Sequence, residues 1–380
     1  MNRVAVKSKA AVLYDMDHDS PYGESSPLVI EEIDVGNPGP GEVLVEIAGA
    51  GLCHSDLSVI NGSRPRIMPM VMGHEASGVV RQTGPGTVDL EPGDHVVFSF
   101  MPSCGHCVPC ATGRPVMCSS GAKANAAGTL LTGSKRFHNA AGLELSHHLG
   151  VSAFSQFTIA AEESLVKIDP ELPLDIAALF GCAVMTGVGA VFNTAQVTPG
   201  SSCAVFGMGG VGLSAIMGAR AAGAHPTIAV DLLDSKLSIA RDAGASHVVN
   251  ASEVDAAEAI RDITGGGADF ALESVGSEKA LIQAYEATGR GGTTVTIGLP
   301  HPSKMFSIPA VSLVADERTV KGSYMGSAVV QRDVPRYIGM YRAGMLPVEK
   351  LLTSTIELDQ INEAFDALDR GQAVRQVVRF

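Results

Sequence analysis

The six residues Gly207-Met208-Gly209-Gly210-Val211-Gly212 follow a short apolar run at 202–206 (SCAVF) and open a stretch of small residues at 210–223 that reads as a helix. A G-x-G-x-x-G turn between a strand and a helix leaves the backbone few alternatives. Its first glycine makes the turn, the second admits a pyrophosphate, and the third lets helix and strand pack closely. Free N–H groups at the helix start favour the anion. In a chain with 43 glycines the pattern alone is weak, and its setting gives it meaning. The alternation continues with strands at 227–231 (TIAVD), 247–250, 269–273 and 293–297, and a helix at about 235–243. Such spacing predicts a parallel sheet with helices on both faces. Asp231 ends the second strand, nineteen residues past Gly212. A carboxylate there accepts both ribose hydroxyls of NAD and repels the extra phosphate of NADP.

Before Thr198-Pro199-Gly200 the pattern is different. Segments such as GEVLVEIAGAG, ASGVVRQTGPG and PGDHVVFSF are short β-branched runs between Gly and Pro turns. They predict a compact, mostly β, barrel-like domain. Around Tyr324 the strand–helix alternation stops, and the tail, with its helical segment INEAFDALDRG, is expected to return to the first domain. A length of 380 residues and an apolar content of 46% suit two domains with buried cores. The formal charge is −13 and no run of Lys and Arg occurs, which argues against a nucleic-acid partner. The opening MNRVAVKSKAAVLYDMDHD has no apolar core of a signal peptide, and no stretch is long and apolar enough to span a bilayer. The expectation is a soluble cytoplasmic protein.

Seven cysteines are present, and four of them, Cys104, Cys107, Cys110 and Cys118, lie within fifteen residues. Clustered cysteines in an intracellular chain favour metal over disulfides. Four thiolates close a tetrahedral zinc site of structural value. A second set is dispersed: Cys53 and His74, twenty-one residues apart, and Cys182 after Gly181. Two thiolates and an imidazole would leave a fourth position for water or substrate, as a catalytic zinc requires. On spacing alone, buried core residues explain this second set equally well.

Cys53-His54-Ser55-Asp56, Gly73-His74-Glu75, the four-cysteine loop, Gly181-Cys182 and the Gly207 motif occur in the order found in zinc-containing medium-chain alcohol dehydrogenases, and the chain resembles that family nearly end to end. The resemblance is nearest to the liver-type and glutathione-dependent formaldehyde dehydrogenase branch. It implies a mostly β GroES-like catalytic domain over 1–185, completed by 325–380, and a doubly wound parallel-sheet Rossmann domain over 186–324. It implies two zinc ions per subunit, NAD as cofactor, a small alcohol or aldehyde as substrate, and a homodimer or tetramer. The dimer would form through the stretch TTVTIG and the following LVADERTVKG.

Site roles follow from the same resemblance. Cys53, His74 and Cys182 resemble the catalytic zinc ligands, and Glu75 the carboxylate that can approach the metal. Ser55 is similar to the hydroxyl that takes the substrate proton, and Asp56 to the carboxylate that orients the ligand histidine. Thr186, Val211 and Ile297 match nicotinamide-side positions, Lys236 an adenosine-ribose contact, and His54 and Arg375 pyrophosphate contacts. Gly207, Gly209, Gly210, Gly212 and Asp231 complete the cofactor set. Phe100, Leu299 and Tyr324 fall where the family lines its substrate pocket. Hydride transfer between a primary alcohol and NAD is the implied reaction, and oxidation of S-(hydroxymethyl)glutathione is the alternative.

Two departures bear on this. Ser58 stands where much of the liver-type branch continues its proton relay with histidine. Arg64 and Arg66 stand where the formaldehyde branch carries acidic residues, although Arg136 resembles its glutathione-carboxylate arginine. Solvated side chains are the simpler expectation for these three arginines. His147-His148 are adjacent, do not share a face of regular structure, and are expected at the surface or a domain boundary. Cys203, inside an apolar strand, is expected to be a packed thiol.

Overall fold

The computed structural model describes residues 6–380, and the chain divides into two compact units. The first comprises the described residues up to Cys182 together with Val329–Val334 and Leu352–Phe380, and the second comprises Ala183–Ala328 and Pro335–Leu351. Among the described residues no single helix is long and apolar enough to cross a membrane.

Two β layers build the first unit. Strands Val6–Leu13, Leu28–Val35, Phe137–His138, Glu144–His147 and Met70–Val71 close a small barrel. Alternating inward residues, among them Val12, Ile33, Val71, Phe137 and Leu145, fill it. A second sheet runs in the order Leu165–Ile168, His95–Phe98, Glu75–Thr83, Glu42–Gly51, Arg375–Arg379 and Leu352–Ile356, with Phe157–Ala161 also pairing Glu42–Gly51. The mostly β domain expected from Gly/Pro-punctuated short strands is present.

The chain's end is fixed in this unit by side chains that satisfy backbone groups. Asp366, on the helix Ile361–Asp369, accepts the Tyr22 N–H at 2.7 Å and the Gly23 N–H at 2.9 Å. Asn362 accepts the Leu28 N–H at 3.1 Å and donates to the Leu28 carbonyl at 3.0 Å. The segment between the two returning stretches belongs to the second unit, where Leu346, Val348 and Leu351 are buried.

The second unit is a six-stranded sheet in the order His247–Asn250, Thr227–Asp231, Cys203–Phe206, Ala268–Glu273, Thr288–Thr296 and Thr319–Gly322, all pairs parallel. The first strand in sequence lies in the middle, and the order reverses beside it, as in a doubly wound sheet. Helix Gly210–Ala221 leaves the end of that strand. The core is made of small residues, Ala204, Ala257, Ala271 and Ala284 beside Ile228, Val230 and Ile260. Small side chains let helices lie close to a sheet.

The turn has the geometry its glycines predict. Gly207 has φ of +90°, and a Cβ on Gly212 would come within 1.7 Å of the Gly207 carbonyl oxygen. A Cβ on Gly209 would meet nothing within 4 Å, and Gly209 has φ of −80°. Packing therefore requires the glycine at 212 and not the one at 209. Gly212→Ala is expected to lower the unfolding midpoint, at a cost of about 1–3 kcal/mol for overpacking against main chain. Gly209→Ala should leave it unchanged. Scanning calorimetry of both variants checks this, and equal midpoints would refute the packing argument.

Candidate functional site

Three adjacent strands of the first unit end at one place. Gly51 pairs with Glu75 on one side and with Val377 on the other, and the Leu52 N–H bonds the Gln376 carbonyl at 2.9 Å. This register gathers Cys53, His74-Glu75 and Arg375. Cys182 arrives after the turn Leu179–Gly181, where Gly181 lies so close to the Phe98 carbonyl that a Cβ would come within 2.5 Å. One ligand atom from each of Cys53, His74, Glu75 and Cys182 lies within 4.8 Å of the others, and all four residues are buried.

Asp56 organises this group. It is the third residue of the helix His54–Ile60, and Cys53 is the residue that caps it. Asp56 Oδ2 accepts the Cys53 N–H at 3.1 Å, and Oδ1 accepts His74 Nδ1 at 2.8 Å. A carboxylate acceptor fixes the proton on Nδ1 and leaves Nε2 with its lone pair. Nε2 of His74 is buried and has no hydrogen-bond partner. Phe100 meets the same ring edge-on, with centroids 5.2 Å apart.

The charges also suit a cation. The Cys182 thiol beside it holds Cys53 well below the usual thiol range against the effect of burial, with Arg375 and His74 helping. The same contact with Cys53, together with burial, pushes Cys182 well above that range. Two neighbouring thiolates in a dry site need positive charge between them. Burial pulls His74 down, but Asp56 and Cys53 outweigh it and raise the ring well above its ordinary value, so the surroundings favour a positive charge on Nε2, which a bound zinc would supply in place of a proton. Burial, with the Cys53 and Asp56 charges, raises Glu75 to about 7 against the opposing effect of Arg375. Soft sulfur ligands, an orphaned imidazole nitrogen and a nearby carboxylate fit zinc with one position left open.

Cys104, Cys107, Cys110 and Cys118 form a second cluster whose sulfurs lie within 4.8 Å of one another. Cys107 Sγ is 3.4 Å from Cys110 Sγ and 3.8 Å from Cys118 Sγ. Backbone N–H groups of Cys104 and Gly121 each approach Cys118 Sγ at 3.3 Å. N–H donation from His106 and Cys107 lowers Cys104 to about 6. Burial and the Cys107 sulfur push Cys110 to about 12. Four sulfurs with no other donor fit a closed zinc site.

In the second unit the Asp231 carboxylate reaches the glycine turn. Its Oδ2 accepts the Met208 N–H at 2.6 Å and its Oδ1 the Leu232 N–H at 2.8 Å. Val211 and Lys236 are half-buried and Thr186 is buried. Ile297 follows the strand Thr288–Thr296, with its N–H on the Glu273 carbonyl at 2.7 Å. Leu299 is exposed and Tyr324 half-buried in this unit, whereas Phe100 belongs to the first.

The remaining candidate side chains differ in burial and in partners. Arg375 is 3% exposed, with Nε 3.5 Å from Glu75 Oε2 and Nη2 3.6 Å from Cys53 Sγ. His54 is exposed at the helix start, and its carbonyl accepts the Ser58 hydroxyl at 2.8 Å. Ser55 is half-buried. Arg136 is not a solvated side chain: it pairs with the fully buried Glu42 at 2.7 Å. Arg64 and Arg66 are both half-buried, and the Nε of Arg66 is buried. Cys203 is fully buried, and burial raises its thiol to about 12, as a packed thiol requires.

The surface placement expected for His147 and His148 is overturned, since both are buried. Strand Glu144–His147 is part of the barrel wall, between Phe137–His138 and Met70–Val71, and Leu145, Ser146 and His147 are all buried there. His147 stacks against Phe137 with centroids 4.4 Å apart, and burial lowers it to about 3, so it is neutral. His148 lies beside His74 and Asp56, and the three form a compact group of their own. Sequence reasoning missed this residue. The adjacent pair of histidines was the available signal, and alternation correctly sent the two rings to different neighbours.

Two families match the chain: residues 39–170 match "Alcohol dehydrogenase GroES-like domain" and residues 210–342 match "Zinc-binding dehydrogenase". The Mycobacterium tuberculosis protein "Putative alcohol dehydrogenase D" is 38% identical over 98% of this chain and 100% of its own length. A zinc-binding-domain alcohol dehydrogenase from Burkholderia ambifaria has a similar crystal structure, with a TM-score of 0.93, 37% identity and 99% of each chain covered. Benzyl alcohol dehydrogenase from Acinetobacter calcoaceticus superposes with a TM-score of 0.90 at 32% identity, again over 99% of each chain. The likeness extends across both units of the fold, and the chain belongs to the zinc-binding medium-chain alcohol dehydrogenases, a family of oxidoreductases.

Proposed function

We propose that this chain interconverts a primary alcohol and its aldehyde, with NAD as the hydride carrier and zinc held by Cys53, His74 and Cys182. The observation that carries the reading is His74: Asp56 takes its Nδ1, and its buried Nε2 has no partner within a group containing two cysteines. Zinc held there by Cys53, His74 and Cys182 would supply Lewis-acid polarisation of an alcohol oxygen, and a bound nicotinamide would supply the hydride acceptor. The protein's part is orientation and proton handling. Asp56 keeps the His74 ring in one tautomer and one direction. Ser55 is the hydroxyl we assign to the substrate proton. The Ser58 hydroxyl is engaged by the His54 carbonyl, so a relay from Ser55 ends at the cofactor ribose or at water. Glu75 supplies a carboxylate poised near neutrality beside the ligands. The four-cysteine cluster is the structural zinc site.

An apolar, medium-sized substrate suits the Phe100 ring that meets His74 edge-on. Likeness to a benzyl alcohol dehydrogenase supports aromatic primary alcohols. Apolar pockets discriminate by only about 1–3 kcal/mol per methylene, so a range of chain lengths should be accepted.

The holoenzyme is expected to contain two zinc ions per chain by elemental analysis and to reduce NAD with benzyl alcohol or hexanol. Cys182→Ser should lose one zinc and turnover with little change in melting. Cys107→Ser should lose the other zinc and melt earlier. One zinc or none in fresh wild-type protein refutes the reading, and so does a kcat/KM hundreds of times higher for formaldehyde with glutathione.

NAD should be preferred over NADP because Asp231 stands at the end of its strand with a carboxylate to set against a 2′-phosphate. Asp231→Ser should narrow the ratio of the two kcat/KM values at least tenfold. Equal use of both cofactors by the wild type would overturn this assignment.

We also propose a homodimer formed through the sheet edge at Thr319–Gly322. Edge strands invite pairing, and Met305, Val311 and Val314 leave an exposed apolar surface in this stretch of chain. Light scattering at micromolar concentration should give twice the chain mass; a monomer mass contradicts the proposal.

A further inference from the structure

His148 is a buried imidazole that none of the assigned roles uses. It reaches the metal group through an excursion of the backbone. Strand Met70–Val71 pairs with Glu144–His147 in parallel, with Val71 opposite His147. The two segments rejoin where the Ala153 N–H bonds the Gly73 carbonyl at 3.1 Å and the Phe154 N–H bonds the Met72 carbonyl at 2.9 Å. Residues 148–152 are the extra turn between these contacts. Leu149 and Ser152 adopt positive φ, 53° and 54°, which side-chain-bearing residues avoid. Such strain persists where the surrounding structure holds it. The His148 N–H bonds Ser152 Oγ at 2.9 Å, and its carbonyl accepts the Val151 N–H at 3.0 Å and the Ser152 N–H at 3.2 Å.

This turn sets the His148 ring edge-on to His74, with centroids 5.6 Å apart and planes at 84°. Its Nδ1 lies 3.2 Å from Asp56 Oδ1, the same oxygen that accepts His74 Nδ1 at 2.8 Å. The N–H direction is not aligned as in a full hydrogen bond. A lone pair facing a carboxylate at that range would repel it, so the proton belongs on Nδ1. Asp56 is fully buried, and its single charge is then shared among the Cys53 amide and two imidazoles.

We propose that His148 is a positioning residue for the metal centre, fixing the Asp56 carboxylate so that Oδ1 holds the ligand His74 in one orientation. The inference rests on the reading that Cys53, His74 and Cys182 hold zinc. The direct partner of a ligand, here Asp56, typically affects metal affinity or activity about 10–100-fold, and His148 acts through that partner, so the lower end of the range applies.

The test uses the full-length zinc-loaded enzyme. Zinc release to the chromophoric chelator 4-(2-pyridylazo)resorcinol is followed for the wild type and for Cys182→Ser, which identifies the phase belonging to the open site. His148→Phe is expected to accelerate that phase about tenfold or more and leave the four-cysteine phase unchanged, which serves as the internal control. Its kcat should fall about tenfold with KM for NAD unchanged. His148→Asn places an N–H near the position of Nδ1 and should restore most of both values. His148→Gln keeps bulk and polarity but puts its amide farther out, so it should behave like His148→Phe and serves if the latter does not fold. Wild-type release rates in His148→Phe and His148→Gln overturn the inference, as does equal acceleration of both zinc phases. Wild-type protein with fewer than two zinc ions defeats the zinc reading itself, whereas two zincs that are indifferent to residue 148 defeat this inference alone.

Discussion

The buried charge of Asp56 is the interaction on which the site depends. A carboxylate with no solvent exposure is tolerable only when donors surround it. Here the donors are the groups that must be placed: the amide of Cys53 and the ring of His74. The helix His54–Ile60 thus gains an acid at its positively polarised start, while the acid points the His74 imidazole. Fold and site are coupled through one side chain. Neutralising it would release the cap and the ring together.

The second unit obeys a different constraint, the distance of closest approach between main chains. Helix Gly210–Ala221 can leave the central strand only because Gly212 allows its backbone against the Gly207 carbonyl. Asp231 then reaches from the neighbouring strand to the Met208 amide, tying the turn to the carboxylate. The parallel order places both elements at the strand ends where the sequence reverses, which is where such sheets bind ligands.

What was legible in the sequence followed from periodicity and from turn chemistry. The strands at 227–231 and 247–250 matched their apolar runs to the residue, and the helix expected near 235–243 begins one residue earlier, at Asp234. The two metal groups differed in how far they could be read. The four-cysteine loop was local and its spacing sufficed, whereas Cys53, His74 and Cys182 meet only through strand register, which spacing does not encode. The pair His147-His148 stood out in the sequence, but the burial of His148 did not, for the same reason. Its burial depends on a barrel closed by Met70–Val71 and Glu144–His147, whose paired residues are 76 apart in sequence, and nothing within its own neighbourhood announces that. Glu42, reading as one polar residue at a strand start, likewise gave no sign that it is buried with Arg136 as its counter-ion.

That last pair decides how far the resemblance to the formaldehyde branch can be carried. Arg136 donates to Glu42 through Nε at 2.7 Å and Nη2 at 3.2 Å, and Thr132 and the Gly39 amide fill the remaining positions at 2.7 and 2.8 Å. The Glu42 carboxyl is held below its ordinary range because these donors outweigh the effect of burial. Drawing the guanidinium away to a glutathione carboxylate would leave a buried acid without its cation, and breaking such a pair costs about 3–5 kcal/mol. An exposed ion pair to a ligand returns about 0–1 kcal/mol. The internal partner wins, so Arg136 serves the barrel and the one arginine that suggested glutathione is committed elsewhere.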